Sequence, residues 1–246
     1  MKKVLITGSR GRIGIDIKEF LKPYYKIIEI EKGDELYEEK FNADAVIHLA
    51  ALTPRKDKEF SLKEYVETNV ELTKKVLFYS SKNNVKIVII PTSWSWMFGL
   101  GDYQYSKLLQ EKIAEKYKEL GLNVILIEFP EVINKDYKGI IQVLVERIKN
   151  NQETTVDMIN ISTITTKDIA AVFKEFIEGK DKQAYDLYKK SINIFDLYEK
   201  IKLIIKKEFP DKLKYLKKGK TKVRSPVIKD GKTVIFPDFE IEKRGQ

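Results

Sequence analysis

Apolar residues follow two rhythms along this chain, and the alternation between them outlines its architecture. Val4-Leu5-Ile6, Ile27-Ile28 with Ile30, Ala45-Val46-Ile47, Val85 to Ile90 and Val124 to Phe129 are short, nearly unbroken apolar runs rich in β-branched residues. Such runs, without polar alternation, are expected of strands buried on both faces of a parallel sheet. Between them, apolar positions recur at helical spacing. Ile13, Ile17 and Phe20 mark a helix over 14–21 that Pro23 ends, and longer helices are predicted over 62–80 and 103–120, the latter closed by Gly121. Strands over 3–7, 26–31, 44–49, 85–90 and 123–129, separated by helices, predict an α/β fold with a Rossmann-type, doubly wound parallel sheet.

After Pro130 the rhythm changes. A helix is predicted over 138–150, a β-branched strand over 154–165, a helix over 166–179 capped by Thr166, a further helix over 192–208, and strand-like pieces over 223–242 around a turn at 229–232. The reading is a Rossmann domain at 1–133 and a small lobe at 134–246 interleaved with it. The segment between Glu31 and Asp44 is short, so one crossover element is trimmed.

The turn after the first strand carries the first candidate chemistry. Thr7-Gly8-Ser9-Arg10-Gly11-Arg12-Ile13-Gly14 places glycines as G-x-x-G-x-x-G between a strand and a helix. A tight turn, close approach of backbone to a diphosphate and close packing of helix on sheet all call for glycine there. Helix-terminal N–H groups then face the phosphates. Glu31 ends the next strand, where a carboxylate hydrogen-bonds adenosine ribose hydroxyls and repels a 2′-phosphate. This favours NAD. Arg10, Arg12 and Lys32 pull towards NADP, and Glu29 is expected on the opposite face of the strand.

Three further motifs follow in order. They are Asp44-Ala45-Val46-Ile47-His48-Leu49-Ala50-Ala51, then Asn69-Val70 within a helix, then Tyr103-Gln104-Tyr105-Ser106-Lys107, a Tyr-x-x-x-Lys opening a helix. With the glycine turn, they resemble the extended short-chain dehydrogenase/reductase superfamily, and within it the NAD-dependent epimerase/dehydratase family. A weaker echo runs through Thr165-Thr166-Lys167-Asp168-Ile169-Ala170.

The resemblance implies an enzyme in which Tyr103 is the proton-transferring phenol and Lys107 holds the nicotinamide ribose and lowers the phenol's pKa. Ser93 supplies the hydroxyl that bonds the reacting oxygen, with Thr92 and Ser95 as alternatives in the same stretch. It also implies a dinucleotide site formed by Gly8, Arg10, Gly11, Arg12, Ile13, Gly14, Glu31, Leu49, Ala50, Ala51, Asn69, Tyr103, Lys107 and Pro130. The substrate is then a sugar or nucleotide sugar, and the assembly a homodimer. Free tyrosine titrates near pH 10, so a base working near neutrality must lose about 3 units, roughly 4 kcal/mol. His48 reads as a satisfied histidine on a buried strand. Trp94, Trp96 and Phe98 fit a pocket wall or a core equally well.

The chain departs from the family's pattern in two places. Only ten positions separate Ser93 from Tyr103, and Glu128 stands where many relatives carry arginine. These departures keep open a second function, a non-catalytic dinucleotide-binding redox sensor.

Composition narrows the choice. With no cysteine and one histidine among 246 residues, disulfides, thiolate chemistry and a histidine-rich metal site are excluded. No apolar run is long enough for a membrane helix, Val4 to Ile6 is too short for a secretory signal, and a cytoplasmic protein is expected. The net charge of +9 favours anionic partners, but 37 acidic residues are interspersed with 46 basic ones. The lysine-rich stretch 206–224 reads as a solvated, partly mobile loop, with a clamp for a substrate diphosphate as the alternative; nucleic acid is not an expected partner.

Overall fold

The computed structural model describes residues 1–54, 58–93, 101–135, 139–222, 227–229 and 233–235. The chain divides into two compact units, Met1–Lys138 with Thr163–Asn193, and Gly139–Ser162 with Ile194–Gln246.

In the first unit, strands β1 (Lys3–Thr7), β2 (Lys26–Ile30), β3 (Ala45–His48), β4 (Ile87–Ser93) and β5 (Val124–Phe129) form one parallel sheet in the order β2-β1-β3-β4-β5. This is the α/β Rossmann-type fold. Val4, Leu5, Ile6, Val46, Ile47, Val88 and Ile89 are fully buried, as continuous apolar runs require. β1 lies between β2 and β3, so the chain leaves it in one direction and returns on the other side. That reversal opens a crevice at the carboxyl ends of β1 and β3, where ligands bind in open α/β sheets.

The β2-to-β3 crossover is reduced to a 3₁₀ turn, Glu38–Phe41. Phe41 is fully buried there and stacks on Tyr79 at 5.3 Å between centroids. It joins a core made by Leu5, Val46, Val88 and Val124 from the strands with Val76, Leu77 and Ala114 from helices. One aromatic side chain thus covers sheet that a full helix covers elsewhere.

Helix α1 (Gly14–Leu21) follows β1. The long helix predicted before β4 is α2 (Leu62–Tyr65), a π-helical turn (Val66–Glu71) and α3 (Leu72–Lys82). Helix α4 (Asp102–Glu119) precedes β5. β4 starts and ends later than the apolar pattern suggested. Pro91 is tolerated in it because β3 pairs only as far as Ile89, while β5 pairs on to Ser93.

A short strand β6 (Glu131–Ile133) was not anticipated; it pairs in parallel with Thr163–Thr165, the end of β7 (Thr154–Thr165). Helix α6 (Thr166–Ile177) is capped by Thr165 and not by Thr166. The Thr165 hydroxyl accepts from the Asp168 amide at 3.1 Å, whereas the Thr166 hydroxyl donates to Asp16 at 2.7 Å. Helix α7 (Asp181–Ser191) also escaped the pattern, its mean hydropathy being low.

The second unit contains α5 (Ile140–Lys149), the start of β7, and most of β8 (Asn193–Asp196), then α8 (Leu197–Glu208), a 3₁₀ turn (Pro210–Tyr215) and β9 (Leu216–Lys222). Residues 192–196 are therefore not helical. Asp196 accepts from the Glu199 amide at 2.8 Å and caps α8 at that point. Leu144, Ile148, Val156, Ile159, Ile201, Ile205 and Leu216 make this unit's core.

The lysine-rich stretch is not a loop as far as Lys222. Lys206 and Lys207 end α8, and Leu216 to Lys222 form β9, pairing in parallel with Thr154 to Ile159. Buried Leu216 anchors that strand. Arg224 lies outside the described residues. In the tail, β10 (Val227–Lys229) and β11 (Thr233–Ile235) pair antiparallel, while the connecting 230–232 lie outside the described residues. Among the described residues, no helix is long and apolar enough to cross a membrane.

Candidate active site

The glycine turn is forced by space. Gly8 has φ +72°, and a Cβ on it would lie 2.8 Å from the Cα and nitrogen of Ala50. A Cβ on Gly14 would lie 2.2 Å from the Gly8 carbonyl oxygen. Both obstacles are backbone, so neither can rotate away. The turn is closed by Gly8 N–H donating to Ile30 O and Gly11 N–H to Gly8 O, each at 3.0 Å.

Beside this turn lies a cavity of about 590 Å³. Gly8, Gly11, Arg12, Ile13 and Gly14 line it, as do Leu49, Ala50 and Ala51 after β3. Ser93 of β4, Tyr103 and Lys107 of α4 and Pro130 after β5 complete the predicted residues on its wall. Three predicted residues are absent from the lining: Arg10, Glu31 and Asn69. Thr53, Glu131 and Val132 line the cavity although no motif marked them. Trp94, Ser95, Trp96 and Phe98 lie outside the described residues.

Glu31 accepts from the Ser9 hydroxyl and, at 3.1 Å, from the Arg10 amide. A Glu29 carboxylate oxygen also sits within hydrogen-bond reach of the Ser9 hydroxyl, whose single proton the two carboxylates share. The expectation that Glu29 faces away is therefore wrong. Residues two apart on a strand share a face, so both carboxylates converge on the glycine turn. The Ser9 hydrogen bond holds the Glu29 carboxyl below its usual range, with Lys18 adding to this against the opposing effect of burial.

Asn69, predicted in the site, is fully buried and works from outside the cavity wall. It projects from the π-helical turn, a distortion often found near functional sites. Its side chain accepts from the Leu52 amide at 2.6 Å and donates to Leu52 O and to the Ser106 hydroxyl, both at 3.0 Å. Ser106 in turn donates to Tyr103 O at 2.7 Å. Asn69 thus ties the loop after β3 to the first turn of α4.

Tyr103 stands in that first turn, with Lys107 one turn later, so both reach the same wall. Burial pushes the Tyr103 phenol above its ordinary range; a hydrogen bond with the Ser93 hydroxyl draws it back down, and Tyr65 adds to the rise. The phenol is therefore not lowered in the chain by itself, contrary to what a neutral-pH base requires. Burial brings Lys107 down to about 8, with Glu111 opposing. The Lys107 ammonium donates to Pro91 O at 3.0 Å and to Gln110 Oε1.

His48 is 2% exposed and fully partnered, as the sequence suggested. Its Nδ1 lies 2.7 Å from the Thr7 hydroxyl and its Nε2 2.8 Å from that of Thr73. Burial, with Lys107 nearby, brings its pKa to about 3, so the ring is neutral in the working range. Glu128 is buried on β5 and is not part of the cavity lining.

The arrangement offers a backbone-lined diphosphate cradle and a serine–tyrosine–lysine cluster in one cavity. The sequence pattern of the NAD dependent epimerase/dehydratase family matches residues 4–166. No curated protein matches the sequence. Among solved structures, WbmH from Bordetella bronchiseptica, in complex with NAD+, superposes with a TM-score of 0.67 at 18% identity, over 89% of this chain and 86% of that one. UDP-N-acetylglucosamine 4-epimerase from Methanobrevibacter ruminantium, in complex with UDP-N-acetylmuramic acid, gives 0.64 at 18%, over 92% and 86%. dTDP-4-dehydrorhamnose reductase from Bacillus anthracis, in complex with NADP, gives 0.64 at 16%, over 84% and 80%.

Proposed function

The chain belongs to the NAD dependent epimerase/dehydratase family, and from this premise we propose that it is an NAD(P)-dependent enzyme that epimerises, dehydrates or reduces a sugar or nucleotide sugar. One observation carries the reading: a single cavity is walled both by the glycine turn and by Ser93, Tyr103 and Lys107. NAD fits the residues present. A Cβ at Gly8 or Gly14 collides with backbone, and glycine at these positions lets a diphosphate come close to the backbone at the start of α1. Leu49, Ala50, Ala51 and Pro130 give the dinucleotide a smooth wall, and Asn69 holds that wall through Leu52. Glu29 and Glu31, gathered at Ser9 beside the glycine turn, would accept the adenosine ribose hydroxyls; two carboxylates there would disfavour a 2′-phosphate, so NAD would be preferred over NADP.

When bound, a dinucleotide would supply the hydride acceptor or donor for a sugar carbon. Tyr103 removes the proton from the sugar hydroxyl, while Ser93 bonds the same oxygen and fixes its direction. Lys107 holds the nicotinamide ribose and stabilises the phenolate. Burial works against that phenolate, so Ser93, Lys107 and the positive ring would together have to supply more than the roughly 4 kcal/mol that separates a free phenol from neutrality. The substrate class follows the nucleotide sugars held by the structural neighbours. We also propose a cytoplasmic homodimer, in which the exposed Phe78 of α3 and Tyr105 and Leu108 of α4 are covered; light scattering that returns a monomer mass removes that assembly.

Purified protein incubated with NAD or NADP and a panel of UDP- and dTDP-sugars tests the reading. Turnover is expected, with kcat reduced about 10²–10⁴-fold in Tyr103→Phe. Dinucleotide binding without turnover on the panel points to the redox-sensor reading instead. Absence of binding overturns both.

A further inference from the structure

Five buried polar side chains, widely separated in sequence, form one continuous line of hydrogen bonds beside the cavity: Thr7, His48, Thr73, Gln110 and Lys107. The direction of every bond can be worked out. The Thr73 hydroxyl lies 2.6 Å from the carbonyl oxygen of Asn69. A carbonyl carries no proton, so Thr73 donates there and spends its only hydrogen. Towards its other neighbours, His48 Nε2 at 2.8 Å and Gln110 Nε2 at 2.7 Å, it can only accept. His48 is therefore protonated on Nε2. Because the ring is neutral, Nδ1 accepts from the Thr7 hydroxyl, which itself accepts from the Ala50 amide at 3.2 Å.

Gln110 then has no freedom. Its amide nitrogen is committed to Thr73, so its oxygen must face Lys107. A flipped amide sets acceptor against acceptor at Thr73 and donor against donor at Lys107. The Lys107 ammonium has three N–H donors. Among the described residues, Pro91 O and Gln110 Oε1 take two, which leaves the third for the cavity that Lys107 lines.

We propose that Gln110 is a positioning residue, whose amide, locked by Thr73 and His48, aims the one Lys107 N–H that remains for a ligand's ribose. The proposal rests on the reading of Lys107 as the group that holds the nicotinamide ribose. Neither Gln110 nor Thr73 lines the cavity, whereas Lys107 and His48 do; Gln110 reaches a ligand through Lys107, and Thr73 through Gln110 and through His48, so Gln110→Leu is the variant that isolates the Lys107 route.

Calorimetric titration of NAD and of ADP, which lacks the nicotinamide ribose, separates the possibilities. In Gln110→Leu and in Thr73→Val, the Kd for NAD is expected to rise about tenfold while that for ADP stays within twofold. Lys107→Met should show the same selective loss. If Lys107→Met weakens NAD selectively but Gln110→Leu and Thr73→Val do not, the positioning role is overturned and the reading of Lys107 stands. If Lys107→Met has no selective effect, the reading of Lys107 fails and the proposal falls with it. Equal weakening of NAD and ADP in the Gln110 and Thr73 variants marks a general structural role and also overturns the proposal. Should Gln110→Leu not fold, Thr73→Val, which keeps side-chain volume, decides alone.

Discussion

Gly14→Ala puts one methyl group where the fold leaves no room. The new Cβ would lie 2.2 Å from Gly8 O and 2.8 Å from the Cα of Ser9. Ordinary contact begins near 3.4 Å, so turn and helix must separate by about 1 Å. Neither obstacle is a side-chain tip, so the displacement falls on the backbone of the diphosphate cradle. Overpacking of this kind costs about 1–3 kcal/mol. The better helix propensity of alanine returns at most about 1 kcal/mol, and less at the first position of a helix. A net loss of about 1–2 kcal/mol is expected, lowering Tm by roughly 2–8 °C for a chain of this size. The displacement also moves the backbone that would meet the diphosphate, so NAD affinity is expected to fall as well. Urea unfolding with a common slope and NAD titration of the same preparations read both quantities. Gly11→Ala is the control, since its Cβ would meet only Gly8 O, at 3.2 Å. Gly14→Ala with wild-type stability and wild-type NAD affinity refutes the steric account.

Three further outcomes are expected. His48 titrates near 6.5 when unfolded and at about 3 when folded; the unfolded chain binds more protons between those values, so stability falls as pH drops below about 6.5. Relative to His48→Gln, the wild type should lose about 2–3 kcal/mol between pH 7 and pH 4.5 by urea midpoint, and parallel curves contradict it. Phe41→Ala removes the aromatic that fills the trimmed crossover and should cost about 3–5 kcal/mol in denaturant unfolding; a loss under 1 kcal/mol argues that the 3₁₀ turn closes over the gap. Replacing both Glu29 and Glu31 with glutamine should shift the NADP-to-NAD affinity ratio about tenfold towards NADP, roughly 1.4 kcal/mol; an unchanged ratio shows that the carboxylates do not select the dinucleotide.

The five sheet strands, the helices α1, α4, α5 and α6 and the glycine turn were legible because each is written in residues close together in the chain. Continuous apolar runs mark strands covered on both faces, and Gly8 and Gly14 mark backbone packed against backbone. Short elements were not legible. β6 has three residues and gains its ladder only from Thr163 to Thr165, more than thirty positions on. The helix read over 192–208 loses its first turn to β8, because Asp196 caps α8. The lysine-rich stretch read as a loop through composition alone, yet pairing with β7 makes part of it a strand.

At the site the division is the same. Spacing singled out Tyr103, Lys107 and Ser93, since a Tyr-x-x-x-Lys on a helix shares one face whatever surrounds it. It did not reveal that Glu29 joins Glu31 at Ser9, that Asn69 acts through Leu52, or that Gln110 grips Lys107. What the chain alone determined is local: periodicity, capping and the places where only glycine fits. What the tertiary structure decided is which distant polar groups meet, because the register of a parallel sheet and the seating of helices on it bring Thr7, His48, Thr73 and Gln110 within hydrogen-bond reach. Burial then shifts the Tyr103, Lys107 and His48 pKa values, since removal from water acts on a charge only after the surrounding elements have closed over it.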